Sequence, residues 1–326
     1  MKKVALIIGI TGQDGSYLAE FLLKKGYKVV GLISQAHDIG DQNIRHFKDK
    51  LNLEVGDLLD KKSLETVINK HKPSEIYNLG GITFVPTSWE KPVLVSDVNA
   101  LGPLRILEII RDQYPKIKFY QATSAKIFGN PQKSPQTEKT PVGPLDPYSV
   151  SKTCAHFLTQ VFRLQFGIFA CSGIMYNHES ERRGPEFVTK KITQTVVKIK
   201  LGLEKKLFLG NLQAKQDWGY APDYVEAMWL MLQQKKADDY IVATGKLHSV
   251  EEVCKIAFTK LGLNYKKYVK VDRKFFRRVE ARALIGDARK ARRILGWKEK
   301  TSFKKMIERM VEHDMQEIRK TGSVKQ

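Results

Sequence analysis

Close to its N-terminus the chain runs from an apolar, β-branched stretch, VALIIG (4–9), straight into Gly9-Ile10-Thr11-Gly12-Gln13-Asp14-Gly15 and on into a helical pattern. Few folds accept that order. Glycine permits the tight turn and lets the backbone come close to a ligand, and the helix that follows points its unpaired N–H groups at whatever anion sits on the loop. The G-x-x-G-x-x-G spacing predicts a pyrophosphate cradle made by Gly9, Thr11, Gly12, Gln13, Asp14 and Gly15. A strand apolar on both faces also needs parallel neighbours and covering helices.

The rest of the first half supplies them. KVVGLI (28–33), LEV (53–55), IYNLG (76–80), KFYQAT (118–123) and FACSGIMY (169–176) read as further strands. Helices are expected at Ser16–Lys25 and near 63–70, 99–114 and 148–166. This alternation predicts an α/β protein, an extended Rossmann fold with a doubly wound parallel sheet and a smaller, mostly C-terminal substrate lobe. Residues 1–176 are expected to form the NAD(P)-binding domain and 177–326 mainly the lobe, with the chain crossing between them. A chain of 326 residues is long enough for both.

No apolar run reaches the ~20 residues of a membrane span, and the N-terminal apolar stretch passes into the glycine loop without a cleavage-like segment. Cys154, Cys171 and Cys254 are odd in number and show no metal spacing. They read as reduced thiols of a cytoplasmic protein, and no metal site is expected. Lys plus Arg (56) exceeds Asp plus Glu (35) by 21. The lysines are spread over the chain and no nucleic-acid-binding signature accompanies them. A lysine-rich surface and an anion-lined pocket account for the excess, so no nucleic-acid or membrane partner is expected. The densest basic stretch is Arg273, Lys274, Arg277, Arg278, Arg282, Arg289, Lys290, Arg292 and Arg293.

Further loops follow the strands. Asp57 and Leu58 suit adenine contacts, and Leu79 and Gly80 border the cofactor. The second strand ends at Ser34-Gln35, with neither the acid expected for NAD nor an arginine. Ser34 can bond a 2′-phosphate and Arg45 can reach it, so NADP is the expected cofactor, with NAD possible. Tyr148 and Lys152 stand one helical turn apart on one face. A neighbouring ammonium lowers a phenol's pKa and can hold a ribose. Ser124, at the end of a predicted strand, is expected to share a hydrogen bond with the substrate hydroxyl that Tyr148 deprotonates.

Longer blocks narrow the reading. GITGQDGSYLAEFLLKKGYKVVG (9–31), YNHESERRGPEFVTKKIT (176–193), LGNLQAKQDWGYAPDYVEAMWLMLQ (209–233) and LIGDARKARRILGWKEKTSF (284–303) closely resemble the GDP-mannose 4,6-dehydratase family of the extended short-chain dehydrogenase/reductase superfamily. The resemblance implies a GDP-sugar substrate, GDP-mannose or a derivative, and a homodimer or homotetramer. By resemblance, His178 and Arg183 approach the cofactor and Asn177 the nucleotide-sugar. Val188, Lys191 and Lys215 contact the nucleotide, and Arg277 and Glu280 its ribose and phosphates.

One position departs. The family's Thr-Ser-Glu, whose Glu takes the C5 proton, aligns with Ser124-Ala125-Lys126. Lys126 is expected to be the base if it is neutral in a buried site, and no acid is left for the departing C6 hydroxyl, since Ala125 cannot serve. Three activities remain open: a dehydratase using Lys126, an epimerase working through the same 4-keto intermediate, and a non-catalytic nucleotide-sugar or polyanion binder.

Overall fold

Strand β1 (Val4–Ile8) is buried because parallel neighbours flank it on both sides, β2 (Lys28–Ile33) and β4 (Glu75–Asn78). The computed structural model describes residues 2–34, 42–276 and 282–323. Strand β3 (Asn52–Val55) lies outside β2, and β5 (Lys118–Ser124), β6 (Ala170–Met175) and β10 (Tyr240–Val242) extend the sheet beyond β4. The order β10-β6-β5-β4-β1-β2-β3, parallel throughout, is the doubly wound topology expected.

Helices α1 (Gln13–Lys24) and α8 (Ala221–Leu232) cover one face, setting Leu18, Leu22, Met228 and Met231 against Tyr77 and Tyr120. Helices α2 (Lys61–His71), α5 (Gly102–Gln113) and α6 (Pro147–Phe166) cover the other, where Leu64, Ile68, Ile106, Ile110 and Phe162 meet Leu6, Ile76 and Phe119. Two short helices, α3 (Val85–Glu90) and α4 (Pro92–Ser96), lead into α5. The chain crosses between layers: α8 and β10 follow residue 176 in sequence yet complete the cofactor sheet.

The lobe is built around β9 (Lys215–Tyr220), flanked by β7 (Asn177–Glu179) and β11 (Leu247–Ser249), with β8 (Leu207–Leu209) paired to β12 (Val269–Val271). Helices α7 (Val188–Lys200), α9 (Val250–Lys260) and α11 (Phe303–Ser323) enclose Ile192, Val196, Val253, Phe258, Met306 and Met310. Helix α10 (Arg289–Leu295) sits beside β10. Among the described residues no helix is long and apolar enough to cross a membrane.

Helix α1 begins three residues before the expected Ser16. Gly15 lies inside its first turn because a Cβ there would overlap the Gly9 carbonyl oxygen, so the helix can pack on the loop only at glycine.

Candidate active site

The C-terminal ends of β1, β4 and β5 bring the glycine loop, Leu79–Gly81 and Ser124 to one edge of the sheet. The Ser124 hydroxyl accepts the Lys126 N–H at 3.3 Å and hydrogen-bonds the Tyr148 phenol. Helix α6 is set by a capping box: an Asp146 carboxylate oxygen accepts the Ser149 N–H at 2.7 Å, and the Asp146 N–H donates to Ser149 Oγ at 3.0 Å. Pro147 occupies the first turn, where its missing N–H costs nothing. That start places Tyr148 against Ser124 and Lys152 one turn on, at 7% and 3% exposure. Lys152 Nζ donates to the Ala122 carbonyl at 3.1 Å.

Burial pushes the Tyr148 phenol up, and what opposes it is the Ser124 hydrogen bond and the Arg183 charge. Desolvation instead brings Lys152 down to about 8, with Asp14 acting against it. Lys126 is partly open to solvent. Its side chain is 33% exposed and its Nζ lies 4.0 Å from an Asp146 carboxylate oxygen, as the cation of an ion pair.

The loop fits a dinucleotide. Gly9 holds φ +81°, and a Cβ there would press on the Gly80 backbone. No side chain caps α1 at Gly12, so its first-turn N–H groups face outward past a residue without a side chain. The Gln13 and Asp14 side chains are committed elsewhere. Gln13 Nε2 donates to the His178 carbonyl at 3.1 Å, Ser180 donates to Gln13 Oε1 at 2.8 Å, and Asp14 pairs with His178 Nε2 at 2.8 Å. Both residues therefore offer a phosphate their backbone only. Asn43 donates to the Thr11 carbonyl at 2.9 Å. The Asp57 carboxylate accepts the Leu59 N–H at 2.9 Å, and Leu58 is buried under Gly80 and Gly102. Ser34 follows the last residue of β2, and Gln35 lies outside the described residues.

Arg183 lies with its guanidinium 3.4 Å over the Phe187 ring and its Nε 3.1 Å from buried Glu179, close enough to act on both Asp14 and Tyr148. Asn177 donates to Gln216 at 2.9 Å. Val188 opens α7, half-buried. Lys191 donates to the Phe208 carbonyl at 2.9 Å, and desolvation with the Lys274 charge lowers its pKa. Lys215 is exposed at the start of β9. Arg277 and Glu280 lie outside the described residues.

Sequence reasoning passed over two residues near this edge. Asn99 accepts the Ile82 N–H and donates to the Ile82 carbonyl, both at 2.9 Å, pinning the loop after β4. Asp146 carried a readable signal, the D-P-Y-S capping box. Among the described residues no cluster of His, Cys, Asp or Glu could hold a metal, and the three cysteines are unpaired.

The Asp14–His178 pair sets a pH dependence. His178 is raised from 6.5: burial works against the charged ring, but Asp14 and the Tyr176 carbonyl outweigh it. Asp14 is lowered from 3.8 despite its burial, chiefly by His178. A raised histidine contributes stability that is full below its unfolded pKa and lost as pH rises through the folded one. A lowered aspartate contributes above 3.8 and loses it in acid. The thermal midpoint gap between wild type and His178→Gln should therefore be widest between about pH 4 and 6.5 and shrink on the alkaline side. A gap that is flat with pH removes the ion pair.

The GDP-mannose 4,6 dehydratase family model matches residues 6–310. GDP-mannose 4,6 dehydratase 2 of Arabidopsis thaliana is 50% identical over 97% of this chain and 87% of its own length. Among solved structures, the Thermus thermophilus UDP-glucose 4-epimerase in complex with NAD aligns with TM-score 0.84 at 26% identity, covering 95% of this chain and 98% of its own. RMD from Pseudomonas aeruginosa, complexed with NADPH, gives 0.81 at 20% identity over 97% and 100%. With family blocks along nearly its whole length and the dinucleotide loop in place, the chain belongs to the GDP-mannose 4,6-dehydratase family, enzymes of the hydro-lyase class.

Proposed function

We propose that the protein removes water from GDP-mannose or a close derivative, starting at C4. The observation that carries this is the buried Ser124–Tyr148–Lys152 set beside an α1 N-terminus left uncapped for a pyrophosphate. The glycine loop and Lys152 would hold a nicotinamide dinucleotide, which would supply the hydride-transfer chemistry that oxidation at C4 and reduction at C6 require. Tyr148 takes the proton of the C4 hydroxyl, oriented by Ser124. Lys152, held by the Ala122 carbonyl, fixes the ribose end of the cofactor and keeps a positive charge near the phenol. Lys126 stands in place of the family's Glu, on the C5 and C6 side of the sugar. Asn177, Val188, Lys191, Lys215, Arg277 and Glu280 bind the nucleotide-sugar, and His178 and Arg183 close over the cofactor. Purified protein given GDP-mannose should yield a product lighter by one water. An isomer of unchanged mass means epimerisation, and no turnover means binding alone.

NADP is the cofactor we assign, because β2 ends without a carboxylate to receive a ribose 2′-hydroxyl and Arg45 follows nearby. Arg45→Ala should raise KM for NADP and leave that for NAD almost unchanged. The protein is a homo-oligomer, with Trp89, Val93, Phe157, Val161 and Leu164 of α3, α4 and α6 all exposed. Leu164, at 77% exposure, is the most accessible of those on α6. Leu164→Asp should shift the mass in solution from a dimer or tetramer to a smaller species. Unpaired Cys154, Cys171 and Cys254 fit a cytoplasmic setting.

A further inference from the structure

The loss of a carboxylate at position 126 coincides with a carboxylate reaching the same spot from another part of the chain. Asp146 is far from Lys126 in sequence, across the irregular connection that follows β5. The fold returns it so that one carboxylate oxygen caps α6 through the Ser149 N–H at 2.7 Å while the other lies 4.0 Å from Lys126 Nζ. Both groups border the reacting edge. The Lys126 N–H donates to Ser124 Oγ, Asp146 precedes Tyr148 by two residues, and its charge is felt at the phenol. The Asp146 side chain is 14% exposed and that of Lys126 33%, so the pair lies partly open rather than sealed in the core.

Capping alone does not require this residue. Asn or Ser caps a helix as well as Asp does, but only a carboxylate pairs with an ammonium. Elimination of water next to a ketone needs two opposite services, a base at C5 and an acid at the C6 oxygen. One lysine offers the first only when neutral and the second only when charged. An ion pair offers both at once.

We propose that Asp146 is the base that takes the C5 proton and that Lys126 is the acid that releases the C6 oxygen as water. The inference rests on the C4 oxidation assigned above. The C5–H bond breaks, its proton passes to the Asp146 carboxylate, and its electron pair moves onto the C4 carbonyl as an enolate. The enolate then expels the C6 oxygen, which takes a proton from the Lys126 ammonium and leaves as water. Once C6 has been reduced, the Asp146 carboxylic acid returns a proton to C5. The proton that Tyr148 took from the C4 hydroxyl goes to solvent, and solvent restores the ammonium. The balance is one water lost.

The test uses the full-length protein with GDP-mannose in deuterated water, following nicotinamide absorbance, deuterium at C5 and loss of water. Asp146→Asn and Asp146→Ser both keep the cap. Each should still reduce the cofactor on adding substrate, but slow C5 exchange and dehydration ~10²-fold or more, as general-base loss does, so that reduced cofactor accumulates. Lys126→Met should do the opposite at C5, leaving exchange running while water loss falls by a similar factor. Thermal midpoints of the two Asp146 variants close to wild type exclude a folding defect, and their agreement with each other excludes a cap effect. C5 exchange at the wild-type rate in Asp146→Asn overturns the proposal, because Asp146 is then a cap and nothing more. Exchange abolished in Lys126→Met but kept in both Asp146 variants also overturns it, making the lysine the base. If wild type never reduces its cofactor, the C4 reading itself has failed and this assignment falls with it. That failure is distinguishable, because it appears before any C5 measurement.

Discussion

Tyr148→Phe should reduce turnover of GDP-mannose by ~10²–10⁴-fold while leaving nucleotide-sugar affinity close to wild type. The phenol lies against Ser124, one helical turn before Lys152. Its removal takes away the proton acceptor and leaves the packing of the ring. Burial holds the phenol above its ordinary pKa, so the ionised form depends on the Ser124 hydrogen bond and the positive charge of Arg183. Ser124→Ala should therefore slow the same step and move the pH at which it is half-maximal upward. Stopped-flow absorbance of the nicotinamide, with binding followed separately by calorimetry, reads both effects. Turnover in Tyr148→Phe within a few fold of wild type takes Tyr148 out of the mechanism.

The largest stability loss is expected far from the substrate. Asp239 is 5% exposed and accepts two hydrogen bonds from the Arg163 guanidinium at 2.9 and 2.8 Å, one from Gln160 at 2.7 Å and one from the Ser172 N–H at 3.1 Å. Arg163 and Gln160 belong to α6, Ser172 to β6, and Asp239 immediately precedes β10. One carboxylate thus ties the last strand of the sheet to the helix that carries Tyr148 and Lys152. Asp239→Ala leaves the largely buried Arg163 guanidinium with the Ala170 carbonyl in place of a carboxylate, a change worth up to about 3–5 kcal/mol. Urea unfolding should show it as a lower midpoint with little change in slope. Asp239→Asn keeps acceptors but loses the charge, and should fall between. A midpoint for Asp239→Ala indistinguishable from wild type would mean that Arg163 finds another partner.

These two sites differ in how far the sequence betrays them. Tyr148 and Lys152 are readable because a helix converts a spacing of four into one face, and because the strand and glycine loop that frame them are both local patterns. The sheet is readable for the same reason: β1 and β2 bury nearly continuous apolar runs, and β6 opens on small residues. The position of β10 is harder to read, since three residues carry no period and its place beside β6 is decided by the Asp239 contacts. The partner of Lys126 is harder still. Asp146 shows itself as a helix cap, which is a local fact, whereas its approach to Lys126 depends on the path of an irregular connection. The Asp14–His178 pair joins residues 164 positions apart, and no sequence period reports such a distance. The Lys126 substitution was visible, but its meaning required knowing which carboxylate came near.

The completion of the cofactor sheet by α8 and β10 has a consequence for how the protein is made. During synthesis the strands from β1 to β6 emerge first, with β6 as an open edge and the face beneath Tyr77 and Tyr120 covered only by α1. Neither can be finished until residues 221–242 have left the ribosome, by which time the first lobe strands are already out. The nascent chain therefore carries an unpaired strand edge and exposed aromatic surface through the translation of more than sixty further residues, from the end of β6 to the end of β10. Such surfaces are what chaperones bind and what aggregates recruit. A fragment ending at residue 176 should accumulate as insoluble material, although it contains the whole glycine loop and both Tyr148 and Lys152.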